Sequence, residues 1–222
     1  MRLPRFGPAA PGWSGELVLV RHGQTGCTVE GSFCGSHDPP LTAAGRLMAD
    51  RLADAEPLAD VRRLFASPSL RSLDTCRPLA ARRELVACAD PRLRELDFGA
   101  WEQRLPAELP ADGGHREWQN DPAGHAPPGG ENGLAVLART IAATREALAG
   151  GDTVALVSHK APIRLLVCFL LGVAPRRYRE IPLPVGSITR LSLGTGRPEL
   201  VCLGDVAHLP AGWRADPDHA AG

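Results

Sequence analysis

The sequence predicts an α/β domain built on a mostly parallel β-sheet with helices on both faces, and three observations support this fold class. Strand-like apolar runs alternate with segments of helical periodicity along the chain, an order that favours parallel strands joined by helices. The run "ELVLV" is apolar throughout, as expected for a buried strand. The 222 residues suffice for one sizeable core, so a single domain is favoured over two small ones.

The first predicted elements are the strand "ELVLV" and an amphipathic helix. The helix is expected in "LTAAGRLMADRLADA", which places Ala44, Met48, Leu52 and Ala55 on one face. Thr42 precedes this periodic segment and is a suitable N-cap, because its hydroxyl can accept a hydrogen bond from a free backbone N–H of the first turn.

A second strand, a second helix and a third strand follow in "VRRLFAS", "SLRSLDTCRPLAAR" and "ELVAC". Proline has no backbone N–H to donate, so we expect Pro78 to kink or split the second helix. From Pro106 onward the chain is dense in proline and glycine as far as "APPGG", which predicts a long excursion over the surface. Loops of this length are often functional.

The second half returns to regular structure with a helix in "ENGLAVLARTIAATREALAGG". Its predicted buried stripe consists of Leu134, Leu137, Ala138, Ile141 and Leu148. A strand in "TVALVS", a helix in "KAPIRLLVCFLLG" and strands in "SITRLSL" and "ELVCLG" complete the order. We divide the chain into an irregular N-terminal extension (1–15), one domain (16–209) and an irregular C-terminal tail (210–222), because both ends are rich in Gly, Pro and Ala without periodicity.

Composition narrows the function classes. The chain has 25 basic and 25 acidic residues, so no overall field draws it to nucleic acid or to an anionic membrane, and we expect neither as a partner. Its six cysteines show no C-x-x-C spacing and are interpreted as reduced thiols. The N-terminus lacks the apolar core of a signal peptide, and the longest apolar run is too short to span a bilayer, which predicts a cytoplasmic protein.

Polar residues that follow apolar strands indicate where the chemistry lies. Arg21 and His22 follow "LVLV", Ser67 and Arg71 follow "LFA", and His159 follows "VALVS". In open α/β sheets ligands bind at the carboxyl ends of the strands, so these side chains are expected along one sheet edge. One histidine after a strand is more often a hydrogen-bonded structural residue, but three strand ends in agreement favour a functional site.

This residue set suits phosphoryl transfer. Uncatalysed hydrolysis of phosphate monoesters needs acceleration of up to ~10²¹-fold, and two guanidinium groups can stabilise its charged transition state without a metal. A neutral His22 could attack phosphorus and hold the group as phosphohistidine. Glu95, in "RLRELDFGAWEQ", could first protonate the leaving oxygen and then activate water. The amides that open the helix after His159 offer a further anion site.

These motifs resemble the histidine phosphatase superfamily, which also contains the cofactor-dependent phosphoglycerate mutases. The resemblance rests on "LVRHGQT", "ASPSLRSLDT", "LRELDFGAWE" and "VSHKAPIR", with weaker matches in "GSHDPPLTAAG" and "PPGGENG". It implies a three-layer α/β/α sandwich with a mixed, mainly parallel sheet. It also implies that no metal or cofactor is needed and that His22 is the phosphorylated nucleophile. By the same resemblance, the phosphoryl group is bound by Arg21, Arg71 and His159. Glu95 is then the general acid and base.

Substrate-binding residues are assigned around this core. Thr28 stands where many relatives have an asparagine that contacts phosphate, and Lys160 stands where phosphatase relatives commonly have glycine. We also expect Gln24, Cys34 and Gly35 near the substrate. The ammonium group of Lys160 could meet an anionic substrate or point to water. Two further residues are marked by the same motifs, since Gln103 replaces a frequent glycine and Trp101 is expected to pack inside the protein.

Four functions remain open on the sequence. A phosphatase acting on a small phosphorylated metabolite leads, because Ser32 stands where mutases generally have a substrate-binding arginine and because the segment between Glu95 and His159 is short. A phosphoglycerate mutase-type transfer is the alternative. A non-catalytic phosphate-binding relative and a metal site on His22 and His159 are weaker, since all five motif residues are present and two arginines would repel a cation. A homodimer could form through "SITRLSL" if that strand lies at the sheet edge.

Overall fold

A computed structural model describes residues 13–110, 113–194 and 197–213. The predicted irregular ends lie mostly outside these ranges. Of their described residues, 13–15 lead into the first strand and Ala211–Trp213 form a short 3₁₀ turn. The strands are β1 (Glu16–Arg21), β2 (Arg63–Ala66), β3 (Ala87–Ala89), β4 (Thr153–Ser158), β5 (Ile188–Ser192) and β6 (Glu199–Asp205). The α-helices are α1 (Gly26–Glu30), α2 (Ala43–Leu52), α3 (Leu70–Arg83), α4 (Gly113–Asn120), α5 (Gly133–Ala147) and α6 (Lys160–Leu171).

One mixed sheet organises the molecule, with the strand order β3-β2-β4-β1-β5-β6. The pairs β2–β3, β2–β4 and β1–β4 are parallel, whereas β1–β5 and β5–β6 are antiparallel. The predicted dimer strand, β5, lies between β1 and β6, so it does not meet the condition for edge pairing with a second copy. Both of its sides are already hydrogen-bonded within the chain.

Alternate residues of the central strands pack into two separate apolar layers. Leu17, Leu19 and Leu156 face a layer that includes side chains of α5 and α6. Val18 and Val157 face the opposite layer, which includes side chains of α2 and α3. Because successive strand residues point to opposite faces, this division confirms the three-layer sandwich. No helix within the described ranges is long and apolar enough to cross a membrane.

Two predicted helices differ from expectation. Helix α3 runs through Pro78 without a break. The expected split is therefore absent, and Cys76 and Leu79, both fully buried, anchor the helix on either side of Pro78. The predicted stripe of α5 is wrong at Leu134 and Ala138, which are both exposed, and the buried face instead includes Thr140 and Thr144. Their hydroxyls donate to carbonyls of the same helix, which permits burial of polar side chains.

The predicted surface excursion contains helix α4, which the sequence analysis missed. Its Trp118 is buried in a cluster with Trp101, Leu109, Phe33 and Phe98. The packing role expected for Trp101 is therefore confirmed. The high proline and glycine content concealed the helix, because eight residues with one large apolar side chain give almost no periodic signal.

Candidate active site

The ends of β1 and β4 place two histidines side by side. The parallel register sets Arg21 opposite Ser158, and the amide of His22 donates to the Ser158 carbonyl at 3.0 Å. His22 directly follows β1 and His159 directly follows β4, and their ring centroids are 5.1 Å apart. Both are nearly inaccessible, with 5% and 0% of their surface exposed. Two residues 137 positions apart in sequence thus meet because their strands are neighbours.

The protonation of His22 follows from its contacts. Its Nδ1 lies 2.8 Å from the Gly23 carbonyl oxygen, which can only accept, so Nδ1 carries the proton and Nε2 keeps its lone pair. Burial lowers the pKa of His22 well below 6.5, and the positive charges of Arg71 and Arg21 lower it further. A Cβ on Gly23 would lie 2.6 Å from the Gly45 carbonyl oxygen, so only glycine fits this turn.

His159 is held from one side only. Its Nε2 lies 2.8 Å from the hydroxyl oxygen of Ser67 at the end of β2, with Ser69 and Ser72 hydroxyls at 3.3 and 3.4 Å. Its Nδ1 is buried and has no hydrogen-bond partner among the described residues. Burial, followed by the charge of Arg71, lowers the pKa of His159 well below 6.5. When the Ser67 hydroxyl donates to Nε2, the ring proton lies on Nδ1 and is available to a ligand.

The two arginines of the site are anchored by carbonyl groups. Arg21 is 4% exposed and its Nη1 donates to the Leu183 carbonyl at 2.6 Å. Arg71, in the first turn of α3, is 1% exposed. Its Nη1 donates to the His37 carbonyl at 2.8 Å and pairs with Asp38 at 3.2 Å. These contacts fix both guanidinium groups, which also raise the positive potential around the histidines.

Glu95 occupies the helix terminus that the sequence analysis assigned to phosphate. Its Oε1 accepts from the amides of Leu96 (2.8 Å) and Ala161 (3.2 Å), and its Oε2 accepts from the amide of Lys160 (3.1 Å). The first amides of α6 therefore do bind an anion, and that anion is a carboxylate of the protein. The Ala161 amide also lies 3.4 Å from Oε2, so each carboxylate oxygen has two backbone donors.

The backbone around Glu95 is fixed by Arg139 of α5. The Arg139 guanidinium donates to the carbonyls of Arg92 (2.8 Å), Arg94 (2.6 Å) and Glu95 (2.9 Å), and it pairs with Glu131 at 3.0 Å. A segment without regular structure is thereby tied to the rigid helix layer. The sequence gives no sign of this role for Arg139, since its bonds go to main-chain oxygens about 45 residues away.

A cavity of about 520 Å³ opens beside these groups. Its lining includes Arg71, Glu95 and His159 together with Gly35 and Arg94. His22 and Arg21 are not on its wall, and His22 adjoins it through His159. The Arg94 side chain is exposed and has no hydrogen-bond or ion-pair partner among the described residues. The lining also includes the carboxylates of Asp38, Glu95, Asp97 and Glu131, so the two guanidinium groups of the cavity lie among acidic side chains.

Of the five predicted substrate-binding residues, the structure places only one on the cavity wall. Gly35 lines the cavity, and the Cys34 carbonyl lies 3.4 Å from Arg71 Nη2. Thr28 does not line it. The Thr28 hydroxyl donates its only proton to the Thr25 carbonyl at 2.9 Å, in a capping box that opens α1. The Thr28 hydroxyl is thus engaged within α1, and its contact with phosphate stays a prediction.

Gln24 and Lys160 are also away from the cavity wall. The Gln24 side-chain oxygen accepts from the Thr42 hydroxyl at 2.8 Å, which joins it to the N-terminus of α2. Lys160 contributes its amide to Glu95, and its positive charge lowers the pKa of His22 as a smaller cause than burial and the two arginines. The predicted N-cap, Thr42, is confirmed, since its hydroxyl accepts from the Gly45 amide.

Comparison with known proteins finds a family model that matches most of the chain. Residues 17–206 match the family model described as histidine phosphatase superfamily (branch 1). The chain is 31% identical over 193 residues to "Bifunctional protein Rv2228c" of Mycobacterium tuberculosis, covering 82% of this chain and 53% of that protein. It thus spans about half the length of that relative. It is 32% identical over 206 residues to "Probable phosphoglycerate mutase GpmB" of Enterobacter sp. strain 638, covering 88% and 95% of the two chains.

A solved structure extends the comparison to the fold. The mycobacterial glucosyl-3-phosphoglycerate phosphatase Rv2419c, solved with VO3, superimposes with a TM-score of 0.78 at 30% identity. The match covers 87% of this chain and 100% of that one. The relatives therefore include proteins named as phosphatases and a protein named as a mutase.

Proposed function

We propose that this chain, which belongs to the histidine phosphatase superfamily (branch 1), hydrolyses a small phosphomonoester through a phosphohistidine formed on His22. One observation carries the proposal: a buried, neutral imidazole whose Nδ1 proton is fixed by the Gly23 carbonyl, beside two arginines. Such a ring keeps its Nε2 lone pair for attack, and the neighbouring charges stabilise the phosphoryl oxygens.

The first half-reaction transfers the phosphoryl group to the enzyme. His22 Nε2 forms a bond to phosphorus as the ester P–O bond breaks, and Arg21 and Arg71 neutralise the charge on the non-bridging oxygens. The Nδ1–H group of His159 donates a hydrogen bond to one of those oxygens. Glu95 gives a proton to the leaving oxygen, which departs as an alcohol.

The second half-reaction returns the enzyme to its starting state. Glu95, now ionised, removes a proton from a water molecule as the water oxygen attacks phosphorus. The N–P bond breaks, and inorganic phosphate leaves. Glu95 ends protonated and His22 ends neutral, so the two half-reactions balance to the hydrolysis of one ester by one water.

A mutase-type transfer is the second candidate, and Arg94 favours it. The exposed guanidinium of Arg94, which lines the cavity, could hold a second anionic group while the phosphoryl group returns to the same molecule. The relative named as a probable phosphoglycerate mutase gives the same candidate. A mutase must exclude water from its phosphohistidine, whereas the open cavity admits it.

The experiment that separates the two measures both products. Purified protein is assayed for release of inorganic phosphate from a panel of phosphorylated metabolites and for interconversion of 2- and 3-phosphoglycerate. We expect phosphate release, with kcat/KM ranking the panel, and acid-labile phosphate on the protein during turnover. Interconversion without net release would replace the phosphatase with the mutase, and neither activity on any substrate would refute both.

A further inference from the structure

The segment 34–38 holds Arg71 from the side of the cavity. Arg71 Nη2 donates to the carbonyls of Gly35 at 3.1 Å and Cys34 at 3.4 Å, and Nη1 donates to the carbonyl of His37 at 2.8 Å. The segment has no helix or strand of its own. Since Arg71 is almost fully buried, the position of its guanidinium depends on how firmly these main-chain oxygens are held.

The amide groups of the same segment converge on one carboxylate, that of Glu102. Its Oε1 accepts from Gly35 at 3.0 Å and from Ser36 at 2.9 Å, and its Oε2 accepts from Gly35 at 3.1 Å and from His37 at 3.3 Å. The amide of Phe98 adds a bond to Oε1 at 3.1 Å. Four backbone donors therefore surround a side chain that lies outside the cavity lining.

Two peptide groups have Glu102 at one end and Arg71 at the other. The group between Cys34 and Gly35 donates its N–H to Glu102 and accepts from Arg71 through its carbonyl. The group between Gly35 and Ser36 does the same. The negative and positive charges polarise these peptide groups in the same direction, so each hydrogen bond strengthens the other.

The neighbouring contacts leave this segment little freedom. The Phe33 amide donates to the Arg104 carbonyl at 2.9 Å, and the Gln103 amide donates to the Phe33 carbonyl at 2.8 Å. A Cβ on Gly35 would lie 2.0 Å from the Leu96 carbonyl oxygen. A side chain at position 35 would therefore displace the backbone that joins Glu102 to Arg71.

We propose that Glu102 is a positioning residue that sets the Arg71 guanidinium for the phosphoryl group through the peptide groups of residues 34–36. This inference rests on the proposed function, in which Arg71 contacts phosphate. Glu102 itself touches no reacting atom. Its loss leaves Arg71 charged but releases the carbonyls that orient it, so the effect appears as weaker binding of the tetrahedral anion.

The test is a double-mutant cycle read by the affinity for inorganic phosphate, measured by calorimetry. The proteins are wild type, Glu102→Gln, Arg71→Lys and the double variant. In Glu102→Gln an NH₂ group replaces one accepting oxygen, and we expect a roughly tenfold loss of phosphate affinity, the size typical of removing a supporting partner. In the Arg71→Lys background, the same change should alter affinity less than twofold, because the guanidinium that it positions is absent.

The matched control is Glu108→Gln, since Glu108 accepts from the Leu105 amide at 2.9 Å and is exposed. Its phosphate affinity should equal that of wild type. If Glu102→Gln does not fold, Glu102→Asp, which keeps the charge but withdraws the carboxylate by one methylene, enters the same cycle. An equal loss of affinity in both backgrounds, or no loss, overturns the inference. A wild-type protein that binds no phosphate and hydrolyses no ester overturns the proposed function and this inference with it.

Discussion

The candidate active site has two halves that are built differently. The strand-borne half consists of Arg21, His22 and His159, which lie at the ends of β1 and β4 and are at most 5% exposed. The loop-borne half consists of segments 34–38 and 94–97, which have no regular structure and are held by carboxylate-to-amide and guanidinium-to-carbonyl bonds. Sheet hydrogen bonds fix the backbone of the first half, whereas the second half depends on long-range side-chain bonds.

The difference separates the nucleophile and its charged neighbours from the proton donor Glu95 and the groups that meet the cavity. The nucleophile and its charged neighbours need fixed geometry, because small displacements of reacting atoms cost large factors in rate. A parallel sheet supplies that rigidity. The loop-borne half meets the cavity and the solvent, where the variable part of a substrate binds. The following experiments perturb one half at a time, in order of decreasing expected effect.

The largest effect is expected for His22→Ala in the strand-borne half. Removal of the nucleophile should abolish turnover and covalent phosphate labelling, with a loss of at least about 10⁴-fold in kcat. Rapid-quench labelling and steady-state phosphate release measure both. His125→Ala, which alters an exposed histidine, is the control and should keep wild-type rates. Normal turnover in His22→Ala would show that another group attacks phosphorus.

Glu95→Gln tests proton transfer in the loop-borne half. Loss of the acid should lower kcat about 10²- to 10³-fold for an alkyl phosphate. For p-nitrophenyl phosphate, whose leaving group needs no proton, the loss in phosphoryl transfer to the enzyme should be far smaller. Single-turnover rates with the two esters make the comparison. Equal losses for the two esters, accompanied by a lower unfolding midpoint, would mean that Glu95 only anchors the N-terminus of α6.

The pH dependence of stability tests the burial of the two strand-borne histidines. Because the pKa values of His22 and His159 are lowered in the folded protein, the unfolded state binds more protons below about pH 6.5. Stability is then complete above that pH and is lost as pH falls toward the lower folded pKa values. The expected slope reaches about 1.4 kcal/mol per pH unit for each histidine.

Urea denaturation in phosphate-free buffer from about pH 7.5 to about pH 5.5 measures this slope. The variant His159→Asn lacks one of the two buried histidines, so the slope of its unfolding free energy against pH should be about half that of wild type. A free energy of unfolding that stays constant across this window would contradict the burial of neutral imidazoles. The same measurement on the His125→Ala control should reproduce the wild-type slope.

The smallest effect is expected for Gln103→Gly beside the loop-borne half. Gln103 has φ +63°, a left-handed conformation that costs a non-glycine residue about 1 kcal/mol. Glycine should raise the free energy of unfolding by up to that amount. Glu84→Gly, at φ +52° in the C-cap of α3, is the matched change far from the loop. A lower stability of Gln103→Gly alone would show that the glutamine side chain contributes more than its backbone strain costs.

The sequence predicted the strand-borne half almost completely. An apolar run followed by Arg21 and His22, and another followed by His159, need only strand periodicity and the rule that ligands bind at strand ends. The N-cap Thr42 was predictable for a similar reason, since capping is decided within four residues. The same local reasoning, applied to the T-x-x-T spacing of Thr25 and Thr28, would have found the capping box that removes Thr28 from the cavity.

The tertiary structure alone decided the loop-borne half. Glu95 was assigned from its motif, but its bonds to the first amides of α6 depend on how two distant segments meet. Glu102 received no role because three of its four partners are main-chain amides 65 to 67 residues away, whatever their side chains. Sequence records side-chain chemistry and local periodicity. The direction in which a loop points its amides and carbonyls is set by the packing around it, and those groups hold Arg71 in place.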